Sequence, residues 1–206
     1  MTPKRAALVA GGVILLLAGT CALSGVSLLP ASWWLGSCLK DWTSPSSYRS
    51  RSSPLGQVRF AVGRSQVRIC YGRPSARGRA VFGQLVPYDS LWRTGANEPT
   101  RLYATGPIRL GDLALPAGRY SIYSIPRAES WTLYLSRSTT HWGNAITPAV
   151  RAQEVGRITV PVEPLADPVE TLTIHPEVAG DSALVRVDWE STRVTLPFAP
   201  SSNTVP

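Results

Sequence analysis

A chain of 206 residues with 44% hydrophobic and 17% charged residues is too apolar for wholesale disorder. Once its N-terminal region is set aside, it has the length of one domain. Eighteen Pro and seventeen Gly leave little room for long helices, and the net charge of +8 is unevenly spread.

Residues 49–109 hold eleven Arg against only Asp89 and Glu98, whereas residues 110–206 hold seven Arg against ten acids. Such a block marks either an anionic partner or a solvated basic face in a chain whose only lysines are Lys4 and Lys40.

The N-terminus has the pattern of a membrane anchor. Lys4 and Arg5 precede an uncharged run over residues 6–29, which is followed by Pro30. About 20 apolar residues span a bilayer core as a helix. The flanking charges place Lys4 and Arg5 in the cytoplasm and the rest outside, with Trp33, Trp34 and Trp42 at the outer interface. The expectation is a signal-anchor or transmembrane helix over residues 1–32, tethering the chain to the membrane through 6–29. It gives a single-pass cell-membrane protein with its C-terminal domain outside the cytoplasm. Two rivals stay open: a cleaved signal peptide near Ser24-Gly25-Val26-Ser27, and a lipoprotein signal at Leu17-Ala18-Gly19-Thr20-Cys21. Either also leaves the domain outside.

Residues 33–55 read as an interfacial segment and flexible linker, with 43–56 rich in Ser, Pro and Arg and without apolar period. Cys38 and Cys70 permit one disulfide, but three cysteines imply no framework. Cys70 is taken as a small buried hydrophobe.

From residue 56 to 198 the period is two. Val58, Phe60 and Val62 alternate with polar or small neighbours, as do Val67, Ile69 and Tyr71. Further strands are expected at 100–105, 107–115, 119–125, 131–135, 156–162, 171–175, 185–190 and 194–198, with turns at Gly111-Asp112, Pro116-Ala117-Gly118 and Ala179-Gly180-Asp181. Only 81–91 looks helical. The fold class is all-β: an antiparallel β-sandwich or partly open barrel with one short helix, closed by a frayed tail over 199–206.

The long connection 72–99 carries the candidate chemistry. Arg73, Arg77, Arg79 and Arg93 can gather around a carboxylate, phosphate or sulfate through bidentate charge-assisted bonds. Thr94-Gly95-Ala96 can add backbone N–H donors as an anion-binding nest. The structural alternative has Arg93 paired with Glu98 and Asn97 bonding its own backbone. The ligand-binding candidates are Arg73, Arg79, Tyr88, Arg93, Thr94, Asn97 and Glu98.

Catalytic signals are thin. The sequence has no Gly-x-Ser-x-Gly or His-Glu-x-x-His motif, and its two histidines, His141 and His175, stand apart. No metal site or cofactor is expected. Trp92, Trp131 and Trp189 read as core, and Trp142, beside Gly143, as the tryptophan most open to solvent. Nucleic acid is not an expected partner, since the domain lies outside the cytoplasm and shows no binding motif.

The connection also carries a resemblance. Tyr71-Gly72-Arg73-Pro74-Ser75, Gly78-Arg79, Leu85-Val86-Pro87-Tyr88 and Trp92 through Glu98 are similar to motifs of the bacterial family called domain of unknown function 2911. Leu115 through Ser121, Trp131 with Leu133, Trp142-Gly143 and Trp189-Glu190 extend it over about residues 56–198. The chain departs at Gly72, where the family usually has Ser. The resemblance implies an exported or surface-associated β-rich protein, and carries no activity or catalytic residue with it.

Two functions follow. One is a non-catalytic binding or structural module of the cell envelope, with an anionic small molecule or envelope component as partner of the Arg-rich site. The other is an extracytoplasmic enzyme with a polar cleft built on Arg93, Asn97 and Glu98.

Overall fold

The computed structural model describes Cys38 and residues 51–201. The chain divides into two compact units, Met1–Lys40 and Asp41–Pro206. The expected membrane segment 6–29 lies outside the described residues. No helix among the described residues is long and apolar enough to cross a membrane.

The second unit is all-β. Its strands are β1 (Leu55–Val62), β2 (Ser65–Gly72), β3 (Thr100–Ala104), β4 (Ile108–Leu110), β5 (Leu113–Leu115), β6 (Gly118–Pro126), β7 (Ser130–Ser136), β8 (Glu154–Ala179) and β9 (Ser182–Pro200). They form one antiparallel sheet in the order β1-β2-β3-β6-β7-β8-β9-β4-β5. The tight hairpins fall where the sequence has Gly before a polar residue. Gly63 at φ 53° opens the turn between β1 and β2, and Gly180 at φ 57° the turn between β8 and β9. A positive φ at the first central residue matches the twist of paired strands.

Strand β8 is the pivot. Up to Pro161 it pairs with β7, and from Val162 onward with β9. The sheet thereby wraps one apolar core, to which β1–β9 all contribute, in a sandwich-like arrangement. Phe60 of β1 meets Phe198 of β9 edge-on at 5.2 Å, and Trp131 of β7 faces the same interior as Trp189 of β9. Full burial of side chains of this size contributes roughly 1.5–3 kcal/mol each.

Four sequence expectations change. Residues 81–91 are turns rather than a helix. Gly83 at φ 87° and Asp89 at φ 56° interrupt any helical run, and Phe82 instead bridges Val86. A short helix instead forms at α1 (Pro148–Arg151), with Thr147 as N-cap and Pro148 at its start, where a missing N–H loses nothing. Cys70 is disulfide-bonded rather than a free buried thiol. The expected strand 107–115 is the hairpin β4–β5, since Gly111 at φ 57° turns the chain. Strand β9 runs two residues into the expected tail, because Ala199 and Pro200 pair with Arg109 and Ile108.

Candidate functional site

The connection after β2 is stitched to β8 before it reaches any open space. The Ala76 amide donates to the Glu170 carbonyl and the Leu172 amide to the Pro74 carbonyl, both close to 2.9 Å, and Ser75 bridges Thr171. Arg73 reinforces the seam. Its Nε donates to the Leu172 carbonyl at 3.2 Å and its Nη2 to the Thr173 hydroxyl at 3.1 Å. Arg73 is therefore a clamp between two segments.

Beyond this seam the β8–β9 ladder is broken. Register shifts fall between Pro164 and Val169 and between Val169 and Thr173. Pro164 and Pro168 lack the N–H a regular ladder needs. On the partner strand Glu190 sits at φ 53°, a conformation sparsely populated by residues other than Gly. Between the displaced strands and residues 76–80 opens a cleft of about 420 Å³, lined by Arg79, Glu170, Glu190 and the apolar faces of Pro168 and Val169.

Each charged group in the cleft wall is fixed by one edge. Arg79 donates through Nε to the Ala76 carbonyl at 2.8 Å and through Nη2 to the Ser75 carbonyl at 2.9 Å. Glu170 accepts the Arg77 amide on Oε1, and Glu190 accepts the Val81 amide on Oε2. No ion pair joins Arg79 to either carboxylate. Nη1 of Arg79, Oε2 of Glu170 and Oε1 of Glu190 thus remain available.

Phe82 and Trp92 serve the core. Phe82, Trp92, Trp131 and Trp189 form one aromatic cluster with centroid separations from 5.0 to 6.0 Å. Trp92 stacks on Trp189 and sends its indole N–H to the Gly95 carbonyl at 3.1 Å. Tyr88 is exposed on the outer side, its ring against Gly83.

The turn at 93–98 is internally satisfied. Thr94 is buried and donates its hydroxyl to Ser124, while its carbonyl accepts the Thr100 hydroxyl at 2.7 Å. Asn97 donates from Nδ2 to the Ser53 carbonyl. Glu98 pairs with Arg51, not with Arg93. Arg93 is half-buried, donates from Nε to the Gly95 carbonyl and donates its backbone N–H to Asn144 Oδ1. Burial lowers its pKa, against the opposing pull of Glu98. Residues 51–54, placed by sequence in the linker, are tied to this region: the Pro54 carbonyl accepts the Arg73 amide and the Ser52 carbonyl accepts Arg77 Nη2.

Of the seven sequence candidates, Arg79 alone lines the cleft. Arg73, Arg93, Thr94, Asn97 and Glu98 hold the connection in place, and Tyr88 stands apart. Glu170 and Glu190 escaped notice because nothing local relates them to Arg79. The signals were Trp189-Glu190, quoted only for the resemblance, and the prolines Pro164 and Pro168 between the strands expected at 156–162 and 171–175, which foretell an interrupted ladder. Among the described residues no cluster of His, Cys, Asp and Glu is suited to a metal ion.

No curated protein and no solved structure matches the chain. The family described as Protein of unknown function (DUF2911) matches residues 53–198, a stretch that includes the cleft, its seam with β8 and all nine strands up to Phe198. The chain belongs to that family.

Proposed function

We propose that this chain is a membrane-anchored, extracytoplasmic binding module of the cell envelope, and that it takes its ligand in the cleft between residues 76–80 and the β8–β9 bulge. One observation carries the reading. Arg79, Glu170 and Glu190 stand around one cleft, each bonded to backbone on one side and unpaired with one another. Charged groups that could neutralise one another usually do. Groups held apart by backbone bonds are preorganised for a ligand. The engagement of Arg93, Asn97 and Glu98 in local bonds supports binding at the cleft over chemistry at the turn.

The anchoring half of the proposal rests on the uncharged run over 6–29 behind Lys4 and Arg5. A reporter fused after residue 50 is expected to work only if it matures outside the cytoplasm. Activity of a strictly cytoplasmic reporter there refutes the anchoring. Thermal-shift screening of the full chain against anions, amino acids, sugars and peptidoglycan fragments tests the binding half, since a ligand of the native state raises the melting point by mass action. A hit that survives Arg79→Gln refutes the cleft.

A further inference from the structure

We infer that the cleft takes a diamino acid, a ligand with two ammonium groups and one carboxylate, such as lysine or a diamino-acid residue of a peptide. The inference rests on the cleft being the ligand site. The wall presents two carboxylates and one guanidinium among the groups that carry charge. A ligand complementary to that set carries two cations and one anion. Guanidinium and carboxylate meet through parallel N–H···O bonds, and an ammonium donates to a carboxylate from any of three directions.

The bonds already made leave the right valences. Arg79 is held by Nε and one hydrogen of Nη2, so Nη1 is left for an incoming carboxylate. Glu170 and Glu190 are each held through one oxygen by the amides of Arg77 and Val81, leaving one oxygen apiece for an ammonium. A simple inorganic anion would face two carboxylates against one guanidinium and be repelled. A neutral sugar would leave all three charges uncompensated. The stem of a diamino acid finds apolar surface on Pro168 and Val169. A volume of about 420 Å³ lies at the small end of ligand pockets and suits one residue-sized ligand.

Isothermal titration calorimetry on the full chain in detergent tests this, with L-lysine, 1,5-diaminopentane, norleucine, succinate and N-acetylglucosamine as probes. Lysine is expected to bind, and diaminopentane and norleucine to bind at least about tenfold more weakly. Glu170→Gln and Glu190→Gln keep an oxygen for the Arg77 and Val81 amides, so both should fold and weaken lysine at least about tenfold. Arg79→Gln should erase the preference for lysine over diaminopentane. Melting curves of the three variants check that the fold is kept. Succinate or N-acetylglucosamine binding in preference to lysine, and lost in the same variants, overturns the ligand class while leaving the cleft as the site. Lysine binding unchanged in all three variants, or no binding of any probe, overturns both.

Discussion

Gly72 lies so close beneath the carbonyl of Ala96 that a Cβ built on it would overlap the oxygen. Gly95 crowds the same place, with the Gly72 carbonyl 3.1 Å from its own ideal Cβ. The end of β2 and the 93–98 turn therefore meet backbone to backbone. Position 72 is, in this chain, one where no side chain fits without a shift of the backbone.

Gly72→Ser should accordingly lower the stability of the domain. The obstruction is backbone, which yields less readily than a flexible side chain, so a cost of about 1–3 kcal/mol is expected from overpacking. Chemical denaturation of the variant should show a lower midpoint at an unchanged slope. A midpoint equal to that of the parent would mean that the turn relaxes freely.

The Arg51–Glu98 pair is the most sheltered ion pair at the connection, with both side chains 13% exposed. Glu98→Gln leaves Arg51 uncompensated in that setting. A loss of about 2–4 kcal/mol is expected, between exposed and fully buried pairs. Arg51→Ala should lose a similar amount. The double variant should fall well short of the sum of the two, and strict additivity would dissolve the pair as a stabilising unit.

The tryptophans Trp92 and Trp142 separate core from surface. Trp92 is 6% exposed and wedged among Phe82, Trp131 and Trp189, so Trp92→Ala should cost about 3–5 kcal/mol. Trp142 is 66% exposed, and Trp142→Ala should move stability by less than about 0.5 kcal/mol. Urea titrations of the two variants side by side read the difference. Equal losses would mean that the 138–145 loop packs elsewhere than the structure shows.

His141 makes stability depend on pH. Burial holds its pKa below the ordinary 6.5, a backbone bond at Ser138 opposes it, and Arg101 adds a smaller downward push. A depressed folded pKa on a base favours its neutral form, so the unfolded chain takes up a proton first as pH falls. The domain should lose stability as pH drops below about 6.5, and the loss should level off once the folded imidazole also protonates. His141→Gln should flatten that limb of the curve. An NMR titration of the ring placing its pKa at or above 6.5 would refute the assignment.

Much of the fold was legible because strand alternation is a local property. Val67, Ile69 and Tyr71, or Val185, Val187 and Trp189, declare a buried face from their own spacing, and Gly180-Asp181 declares a turn from its own torsions. Residues 81–91 misled for the converse reason. Phe82 packs against Trp92, Trp131 and Trp189 and Val81 and Val86 are buried, while Leu85 and Tyr88 are exposed, and a local pattern cannot distinguish that spacing from a helix face.

The basic connection and its individual arginines were also visible, but not their division of labour. Arg73 became a clamp and Arg79 a cleft wall because a bulge in β8, set by Pro164 and Pro168, displaces the strand beside one and not the other. Glu190 bonds the amide of Val81 across 109 positions of sequence. Alternation, turn chemistry and charge content act over a few residues, so the sequence alone determined the strands and the Arg-rich connection. Which carboxylates stand opposite Arg79, and which arginine Glu98 takes, depend on contacts between segments from 47 to 109 positions apart, and only the tertiary structure decided them.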